Sequence, residues 1–283
     1  MSKEILIAGS GFMGTSMAHA LENHNVTCFE THEAYLTTLK NLNIYKNIFS
    51  DVSDIKGEFD LIIICTRQKD VLEHISYFSS KFPESLITDI SSSKNFLQEA
   101  DLPPNFISSH PICGSHKVGP EDAEPDLFKG KEVIIIDTPY QEKLAELRLF
   151  WSSLGANTSI MNFSEHDKNY AFLSHFPHLF SFIYREILDE ENIDYKKFSG
   201  DSLKEILRLS EANEHLWHEI FLDNKEILVF KPTDDPLSLS VNNLPGESLQ
   251  SQLKKAYNDG NYNLVIKLIK ENKDTLNKYS MDI

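Results

Sequence analysis

The chain has 283 residues, of which 41% are hydrophobic and 25% charged, a composition typical of a soluble globular protein with one large or two moderate domains. Its formal net charge of -16 argues against a nucleic-acid-binding surface, and an anionic substrate would need a local cationic pocket. No apolar stretch approaches the roughly 18 residues of a membrane span, and three cysteines without a C-x-x-C pair are typical of a reducing compartment, so we expect a cytoplasmic protein with no membrane or nucleic-acid partner.

The first apolar run of the chain is followed at once by three regularly spaced glycines. Residues 5–8 predict a buried strand, and Gly9, Gly11 and Gly14 follow at Gly-x-Gly-x-x-Gly spacing before a helical pattern begins. In this setting the first glycine allows a tight turn, the second lets backbone approach a pyrophosphate, and the third lets helix and strand pack closely. The helix N-terminus then faces the anion. The pattern predicts dinucleotide binding; a plain strand–turn–helix without a ligand is the alternative.

The second predicted strand ends in the carboxylate of Glu30. A carboxylate about 20 residues after the glycines accepts hydrogen bonds from ribose hydroxyls and repels a 2′-phosphate. No arginine occurs among the four residues that follow Glu30, so we expect NAD rather than NADP as the cofactor. The residues predicted to contact the cofactor are Gly9, Gly11, Phe12, Met13, Gly14, Glu30 and Thr66.

Strand-like and helical runs alternate up to about residue 161. The run at 61–65 is apolar without interruption, as in a strand that is buried on both faces of a parallel sheet. The alternation predicts an α/β domain over residues 1–162, with a Rossmann-type, doubly wound parallel sheet. The predicted strands are 5–8, 26–30, 61–65, 86–89, 106–109, 132–136 and 156–161, and the predicted helices after the first are 34–42, 68–78 and 141–154.

From residue 164 onward, helical periodicity replaces the strand-like runs. Residues 163–283 are therefore expected to form a second, all-helical dimerisation domain, because apolar helix faces that need a partner surface favour a homodimer. Three prolines between residues 231 and 245 interrupt the helical pattern. The predicted helices are 167–188, 202–209, 215–230, one that stops before Gly260, and 261–279.

Polar residues follow three of the predicted strands, at the sheet edge where open parallel sheets bind their ligands. Thr66 follows one strand, and a run of serines that ends in Lys94 follows the next. A plain loop, or serines that cap the next helix, would explain these two stretches equally well. Pro111 biases His110 toward extended backbone, which would hold its imidazole at a strand end for proton transfer. An exposed loop histidine is the alternative.

The helical half contains histidine, arginine and tryptophan side chains that also have simpler structural explanations. His175 and His178 lie on roughly one helix face, as a metal-binding pair would, but no third ligand is evident nearby. Arg208 is equally consistent with a solvated surface arginine, and Trp217 with a core residue. We therefore expect no metal.

Taken jointly, these stretches resemble the prephenate/arogenate dehydrogenase family of tyrosine biosynthesis, from the glycine loop to about residue 224. The His-Pro-x-x-Gly and Ser-His-x-Pro-His pieces are the most specific part of the resemblance. Four pieces occur in the family's order: Asp89-Ile-Ser-Ser92-Ser-Lys94 resembles Asp-x-Gly-Ser-x-Lys, His110-Pro-Ile-Cys-Gly114-Ser115 resembles His-Pro-Met-x-Gly-Thr, His166-Asp167 with Ser174-His-Phe-Pro-His178 resembles His-Asp with Ser-His-Leu-Pro-His, and Leu207-Arg208-Leu209 with Leu216-Trp217 resembles Thr-Arg-Ile with Leu-Trp.

The resemblance implies an enzyme that performs an NAD(P)-dependent oxidative decarboxylation. In the family, a hydride leaves the hydroxyl-bearing ring carbon, the ring carboxylate leaves as carbon dioxide, and the ring becomes aromatic, so no metal is required. By the same resemblance, His110 takes the proton of the substrate hydroxyl, and Ser92 helps to hold that hydroxyl and the nicotinamide. The residues implied to bind the substrate are Arg208, His178, Ser115, His116 and Trp217.

Three features depart from the family pattern. Ser91 replaces the family glycine, and the proline segment 231–245 replaces a helix, which bears on the expected dimer packing. His116 stands where many members carry an acidic residue, and together with Lys117 it favours the keto acid prephenate over the amine arogenate. The competing hypotheses are an arogenate dehydrogenase, another two-domain NAD(P)-dependent dehydrogenase or imine reductase, and an NAD-sensing protein without catalysis.

Overall fold

The computed structural model describes residues 2–115, 117–225 and 228, and it divides the chain into two compact units. The units are Met1–His166 and Asp167–Ile283, so the division falls a few residues after the predicted domain boundary at residue 162. His116, the proline segment 231–245 and the predicted helices beyond it lie outside the described residues.

The centre of the first unit is a five-stranded parallel sheet with the strand order β3-β2-β1-β4-β5. This is the doubly wound arrangement that the alternating pattern predicts, and β5 begins and ends as predicted. The short edge strand β3 was missed, because three residues are too few to show a period. The elements that build this part are β1 (Glu4–Ala8), α1 (Phe12–Ala20), β2 (Asn25–Phe29), α2 (Glu33–Leu42), β3 (Asn47–Phe49), β4 (Leu61–Ile64), α3 (Gln68–Lys81) and β5 (Leu86–Asp89).

A second, three-stranded sheet completes the first unit, and it corrects one predicted strand. Phe106 makes only an isolated parallel bridge to Ile87, and the strand itself is Ser109–Pro111, which pairs antiparallel with the next strand. This mixed pairing was not expected, because direction of pairing depends on distant partners rather than on local periodicity. The remaining elements are α4 (Asn95–Gln98), β6 (Ser109–Pro111), β7 (Glu132–Ile136), α5 (Gln141–Ser153) and β8 (Asn157–Met161), with β8 parallel to β7.

Side-chain alternation along the central strands produces two hydrophobic cores, one on each face of the sheet. In β1, Ile5 and Ile7 point into a core that contains Trp151 of α5, whereas Leu6 and Ala8 point into a core that contains Phe78 of α3. All four β1 side chains are fully buried. Both faces are covered by helices, which is why β1 and β4 are continuous apolar runs.

Helical segments α6 (Phe163–Tyr170) and α7 (Phe176–Glu190) are joined by one π-helical turn, Ala171–His175. The predicted single helix at 167–188 therefore begins earlier and contains a widened turn. Pro177 explains the position of this turn, because proline has no N–H to donate and its ring crowds the carbonyl of the residue four positions earlier. A π turn relieves both constraints without ending the helix.

The second unit continues with three shorter helices, α8 (Tyr195–Phe198), α9 (Asp201–Arg208) and α10 (Glu214–Asp223). The helix predicted at 215–230 ends at Asp223, and residues 226, 227, 229 and 230 lie outside the described residues. Leu179, Ile183, Trp217, Ile220 and Phe221 form the core that α7 and α10 share. Among the described residues, no helix combines the length and apolar character needed to cross a membrane.

Candidate active site

Two of the three glycines in the first loop sit where a side chain would collide with backbone. Gly9 has φ +92°, and a Cβ built on it would lie 2.8 Å from the carbonyl carbon and oxygen of Cys65. A Cβ on Gly14 would collide with the carbonyl oxygen of Gly9. The first glycine therefore permits the tight turn and the third permits close packing of α1 against β1, as the spacing predicts.

The second glycine has a neighbour that the sequence did not indicate. A Cβ on Gly11 would lie 3.0 Å from the carbonyl oxygen of Val118, and this oxygen accepts a 2.7 Å hydrogen bond from the backbone N–H of Phe12. Lys117 lies nearby, with Nζ 6.0 Å from the centre of the Phe12 ring. The backbone that approaches Gly11 is thus that of Val118, and the N–H of Phe12, a residue predicted to contact the cofactor, is bonded within the protein.

A cavity of about 240 Å³ lies beside the glycine loop, at the carboxyl ends of β1, β2 and β4. Glu30 borders it, and its carboxylate accepts 2.8 Å hydrogen bonds from the backbone N–H groups of Ser10 and His32. These two bonds hold the carboxylate in place directly after β2. The side chain is only 8% exposed. The residues that line the cavity are Gly9, Phe29, Glu30, Thr31, Thr66, Asp70, Glu73 and His74.

Five lining residues of this cavity were not predicted, and three of them are titratable: Asp70, Glu73 and His74. All three lie on the first turns of α3, at the helical spacing that puts them on one face. His74 Nδ1 is 3.0 Å from the Thr66 hydroxyl, and burial is the main cause that lowers the pKa of His74. Asp70 and Glu73 add two carboxylates to that of Glu30. Their helical spacing directly after Thr66 was the signal that could have found them.

His110 lies in β6 with extended backbone, as Pro111 predicts, and is paired with Ile134 of β7. Its side chain is 8% exposed, so it is not an exposed loop histidine. Nδ1 of His110 lies 2.9 Å from Nε2 of His166, which is fully buried. Burial raises the pKa of the neighbouring Cys113 thiol to about 12, which keeps it protonated at neutral pH and unsuited to act as a nucleophile.

A buried ion pair connects the Ser92 loop to the strand that carries His110. Lys94 is fully buried, and Nζ donates to Asp89 Oδ2 at 2.8 Å and to the carbonyl oxygen of Ser109 at 2.9 Å. Ser108 Oγ donates to the other carboxylate oxygen of Asp89 at 2.5 Å. Ser92 lies half-buried in this loop. The alternative that the serines cap the next helix is wrong, because α4 has no side-chain cap.

In the second unit, His178 stacks on Trp217 with ring centres 3.6 Å apart and planes 17° from parallel. His178 Nδ1 donates a 2.9 Å hydrogen bond to the carbonyl oxygen of Ser174, in the π turn, so the Nε2 atom carries the lone pair of the neutral ring. Burial lowers the pKa of His178, and the positive charge of Arg208 lowers it further. These three residues form one cluster in the second unit.

Arg208 is the exposed member of that cluster. Its side chain is 59% exposed, and Nε lies 3.6 Å from Glu205 Oε2 one helical turn earlier. Such a solvent-exposed pair holds the guanidinium weakly, so the guanidinium remains able to bind an anion. Trp217 is both a core residue and the surface on which His178 stacks, so the two interpretations of Trp217 are compatible.

The lowered pKa of His178 predicts how the free energy of unfolding depends on pH. Because the folded state holds the pKa of His178 below 6.5, the unfolded chain binds the proton first as the pH falls. The contribution of His178 to the free energy of unfolding is therefore complete above about pH 6.5. It is lost as the pH falls through the lowered pKa that His178 has in the folded state. We expect the free energy of unfolding, measured in urea from about pH 5 to about pH 8, to rise with pH less steeply in His178→Gln than in the wild type. Equal slopes would contradict this assignment.

The loop after β6 contains the other predicted substrate residues. Ser115 is exposed, and its hydroxyl accepts a 3.1 Å hydrogen bond from the backbone N–H of Lys117; His116 lies outside the described residues. Lys117 Nζ is 2.6 Å from Glu124 Oε1, and this contact is the first cause that raises the pKa of Lys117. Glu124 therefore compensates the charge of Lys117, which was expected to favour a keto acid together with His116.

His175 does not form a metal pair with His178 in the part of the chain that the structure describes. His175 is fully buried and meets the Trp217 ring edge-on, with centres 6.1 Å apart. No three His, Cys, Asp or Glu side chains converge on a possible metal position within residues 2–115, 117–225 and 228. Both histidines instead contact the indole ring of Trp217.

Sequence models of known families identify both units. Residues 14–160 match the model described as prephenate dehydrogenase, nucleotide-binding domain, and residues 162–235 match the model described as prephenate dehydrogenase, dimerization domain. The chain belongs to the prephenate dehydrogenase family. The family resemblance drawn from the motifs is therefore confirmed, and so is the fold class of a Rossmann-type unit followed by a helical one.

Individual members of the family are distant from this chain. The prephenate dehydrogenase of Lactococcus lactis subsp. cremoris is 28% identical over 272 residues, which are 88% of this chain and 74% of that protein. The cyclohexadienyl dehydrogenase of Zymomonas mobilis is 25% identical over 244 residues, 80% and 83% of the two chains. The crystal structure of prephenate dehydrogenase from Aquifex aeolicus in complex with hydroxyphenyl propionate and NAD+ has a TM-score of 0.73 at 22% identity and covers 98% of each chain, which supports the fold.

Proposed function

We propose that this protein is an NAD-dependent prephenate dehydrogenase, which converts prephenate to 4-hydroxyphenylpyruvate by oxidative decarboxylation. The observation that carries the proposal is His110, a buried histidine at a strand end whose Nδ1 lies 2.9 Å from Nε2 of His166, because an imidazole held in this way suits general base catalysis. Membership of the prephenate dehydrogenase family supports the same activity. Bound NAD+ supplies the hydride acceptor.

The proposed roles of the side chains follow the chemistry of the substrate. His110 takes the hydroxyl proton as the hydride leaves the same ring carbon, and the bond to the ring carboxylate breaks with its electrons entering the ring. The proton on His110 then returns to the phenolate oxygen, so that no net proton is released. Ser92 would hold the hydroxyl and the nicotinamide, and its loop is anchored by the buried Lys94–Asp89 pair.

We assign substrate binding chiefly to the cluster in the second unit. The planar guanidinium of Arg208 suits a carboxylate, and its exposure leaves it accessible to one. The neutral His178 ring, held by Ser174 and Trp217, would add a polar contact from Nε2. Ser115 and His116 complete the proposed set, at the loop after β6.

The direct test is the formation of NADH when the purified protein is given prephenate or arogenate. We expect a higher kcat/KM with prephenate, because the histidine at position 116 replaces an acidic side chain that would favour an amine. Because Glu124 neutralises Lys117, this expectation depends on His116 rather than on Lys117. A preference for arogenate would identify an arogenate dehydrogenase instead. Tight NAD binding without turnover of either substrate would support the NAD-sensing hypothesis.

The carboxylates around the cavity predict which cofactor the enzyme uses. Glu30, Asp70 and Glu73 would repel the 2′-phosphate of NADP, so we expect kcat/KM to be at least about tenfold higher with NAD. Glu30→Gln is expected to reduce the ratio of kcat/KM with NAD to kcat/KM with NADP. Glu58→Gln removes the same charge outside the cavity and is expected to leave that ratio unchanged. Steady-state rates with both cofactors measure this ratio. A preference of the wild type for NADP would contradict the assignment of NAD as the cofactor.

We further propose that the protein is a cytoplasmic homodimer. The match of residues 162–235 to a dimerization domain supports the dimer, as do large apolar side chains that the second unit exposes, among them Phe172, Leu173 and Phe198. The cysteines Cys28, Cys65 and Cys113 are free thiols, which supports a reducing compartment.

A further inference from the structure

We infer that His166 is a positioning residue that fixes the tautomer and ring orientation of His110. This inference rests on the proposed role of His110 as the proton acceptor. The resemblance to the family includes the pair His166-Asp167 but gives it no function, and the two histidines are 56 positions apart in the chain. The contact between them is a property of the fold.

The geometry of the pair restricts where its hydrogens lie. Nδ1 of His110 and Nε2 of His166 are 2.9 Å apart, so one nitrogen donates and the other accepts. If His110 is to accept a proton on Nε2, its own hydrogen must be on Nδ1, and His166 Nε2 must be the acceptor. The opposite arrangement would place a hydrogen on Nε2 of His110 and abolish its capacity as a base. A neutral pair therefore allows His110 to act as a base in only one arrangement, the one in which Nδ1 of His110 donates to Nε2 of His166.

The position of His166 in α6 favours that productive state. Asn162 precedes the helix: its side-chain oxygen accepts from the N–H of Glu165, and its carbonyl accepts from the N–H of His166, both at 2.9 Å. His166 thus lies at the N-terminal end of α6, where the helix dipole disfavours an imidazolium. A neutral His166 keeps the lone pair that the bond requires.

The same bond strengthens as the reaction proceeds. When His110 takes the substrate proton, both of its ring nitrogens carry hydrogen and the ring is positively charged. The hydrogen bond from Nδ1 to His166 then becomes charge-assisted, and such bonds are about twice as strong as neutral ones. His166 would therefore lower the barrier to proton transfer without contact with the substrate or the cofactor.

Two substitutions at position 166 separate this role from simple packing. His166→Gln keeps an amide oxygen that can accept from His110 Nδ1, whereas His166→Phe keeps the ring volume without an acceptor. We expect kcat with prephenate to fall about 10- to 100-fold in His166→Phe and to be largely restored in His166→Gln, with the Kd for NAD unchanged in both. Equal loss in the two variants, or an active His166→Phe, would overturn the inference.

A double variant tests whether His166 acts through His110. If it does, His166→Phe should cost little further activity in a His110→Asn background, because the two residues act as one unit. Additive losses would indicate an independent structural role. If instead His110→Asn is fully active, the proposed function of His110 fails by itself.

A measurement without substrate keeps the inference testable even if the proposed activity is wrong. Nitrogen-15 chemical shifts of the His110 ring report which nitrogen carries the hydrogen. We expect the Nδ1–H tautomer in the wild type and in His166→Gln, and a shift toward Nε2–H in His166→Phe. A wild-type ring with its hydrogen on Nε2 would contradict the inference, whatever the substrate turns out to be.

Discussion

Replacement of His110 by asparagine is expected to lower kcat with prephenate by about 100-fold or more, with little change in the Kd for NAD. Asparagine fits the volume and can still bond to His166, but its amide does not accept a proton near neutral pH. The variant loses general base catalysis, which typically raises the reaction rate by about 10²–10⁴-fold. Steady-state rates of NADH formation give kcat, and calorimetric titration gives the Kd.

A matched control comes from another histidine of the same unit. His24 accepts a hydrogen bond from the backbone N–H of Lys3, just before β2, at the opposite edge of the sheet from the strand ends that line the cavity. His24→Asn is expected to leave kcat and cofactor affinity unchanged. An active His110→Asn would exclude His110 as the base. Loss of cofactor binding in that variant would instead indicate a disturbed nucleotide unit.

Replacement of Lys94 by methionine is expected to have the largest effect on stability. Methionine fills a similar volume, but it leaves the fully buried Asp89 carboxylate without its cation and the Ser109 carbonyl without its donor. Removal of one partner of a buried ion pair costs about 3–5 kcal/mol. We expect the free energy of unfolding in urea to fall by about that amount.

Lys46→Met is the control for that measurement, because Lys46 forms an ion pair with Glu4 on the surface of the same unit. Exposed pairs of this kind contribute about 0–1 kcal/mol. Similar urea midpoints for the two variants would show that the buried pair does not stabilise the fold. Where folded Lys94→Met can be isolated, its kcat should also fall, since the pair anchors both the Ser92 loop and the residue before His110.

Much of the first unit follows from local pattern. Continuous apolar runs such as β4 need helices on both faces, and the glycine spacing needs a strand that turns into a helix, so the parallel sheet and its loop were predictable. Glu30 and His110 were found in the same way, because strand ends and a following proline are local signals. The cluster of His178, Arg208 and Trp217 came from motif resemblance instead, since helical spacing alone did not separate it from ordinary core and surface residues.

Only the tertiary structure decided which distant residues meet. The sequence by itself determined the Rossmann-type sheet, the nucleotide loop and the family, because these depend on periodicity and on short motifs. It did not determine that β6 runs antiparallel to β7, that Val118 covers Gly11, or that His166 bonds to His110. Such contacts join segments far apart in the chain, and their energy depends on burial and geometry that no local pattern encodes. The chemistry proposed for His110 depends on one of them.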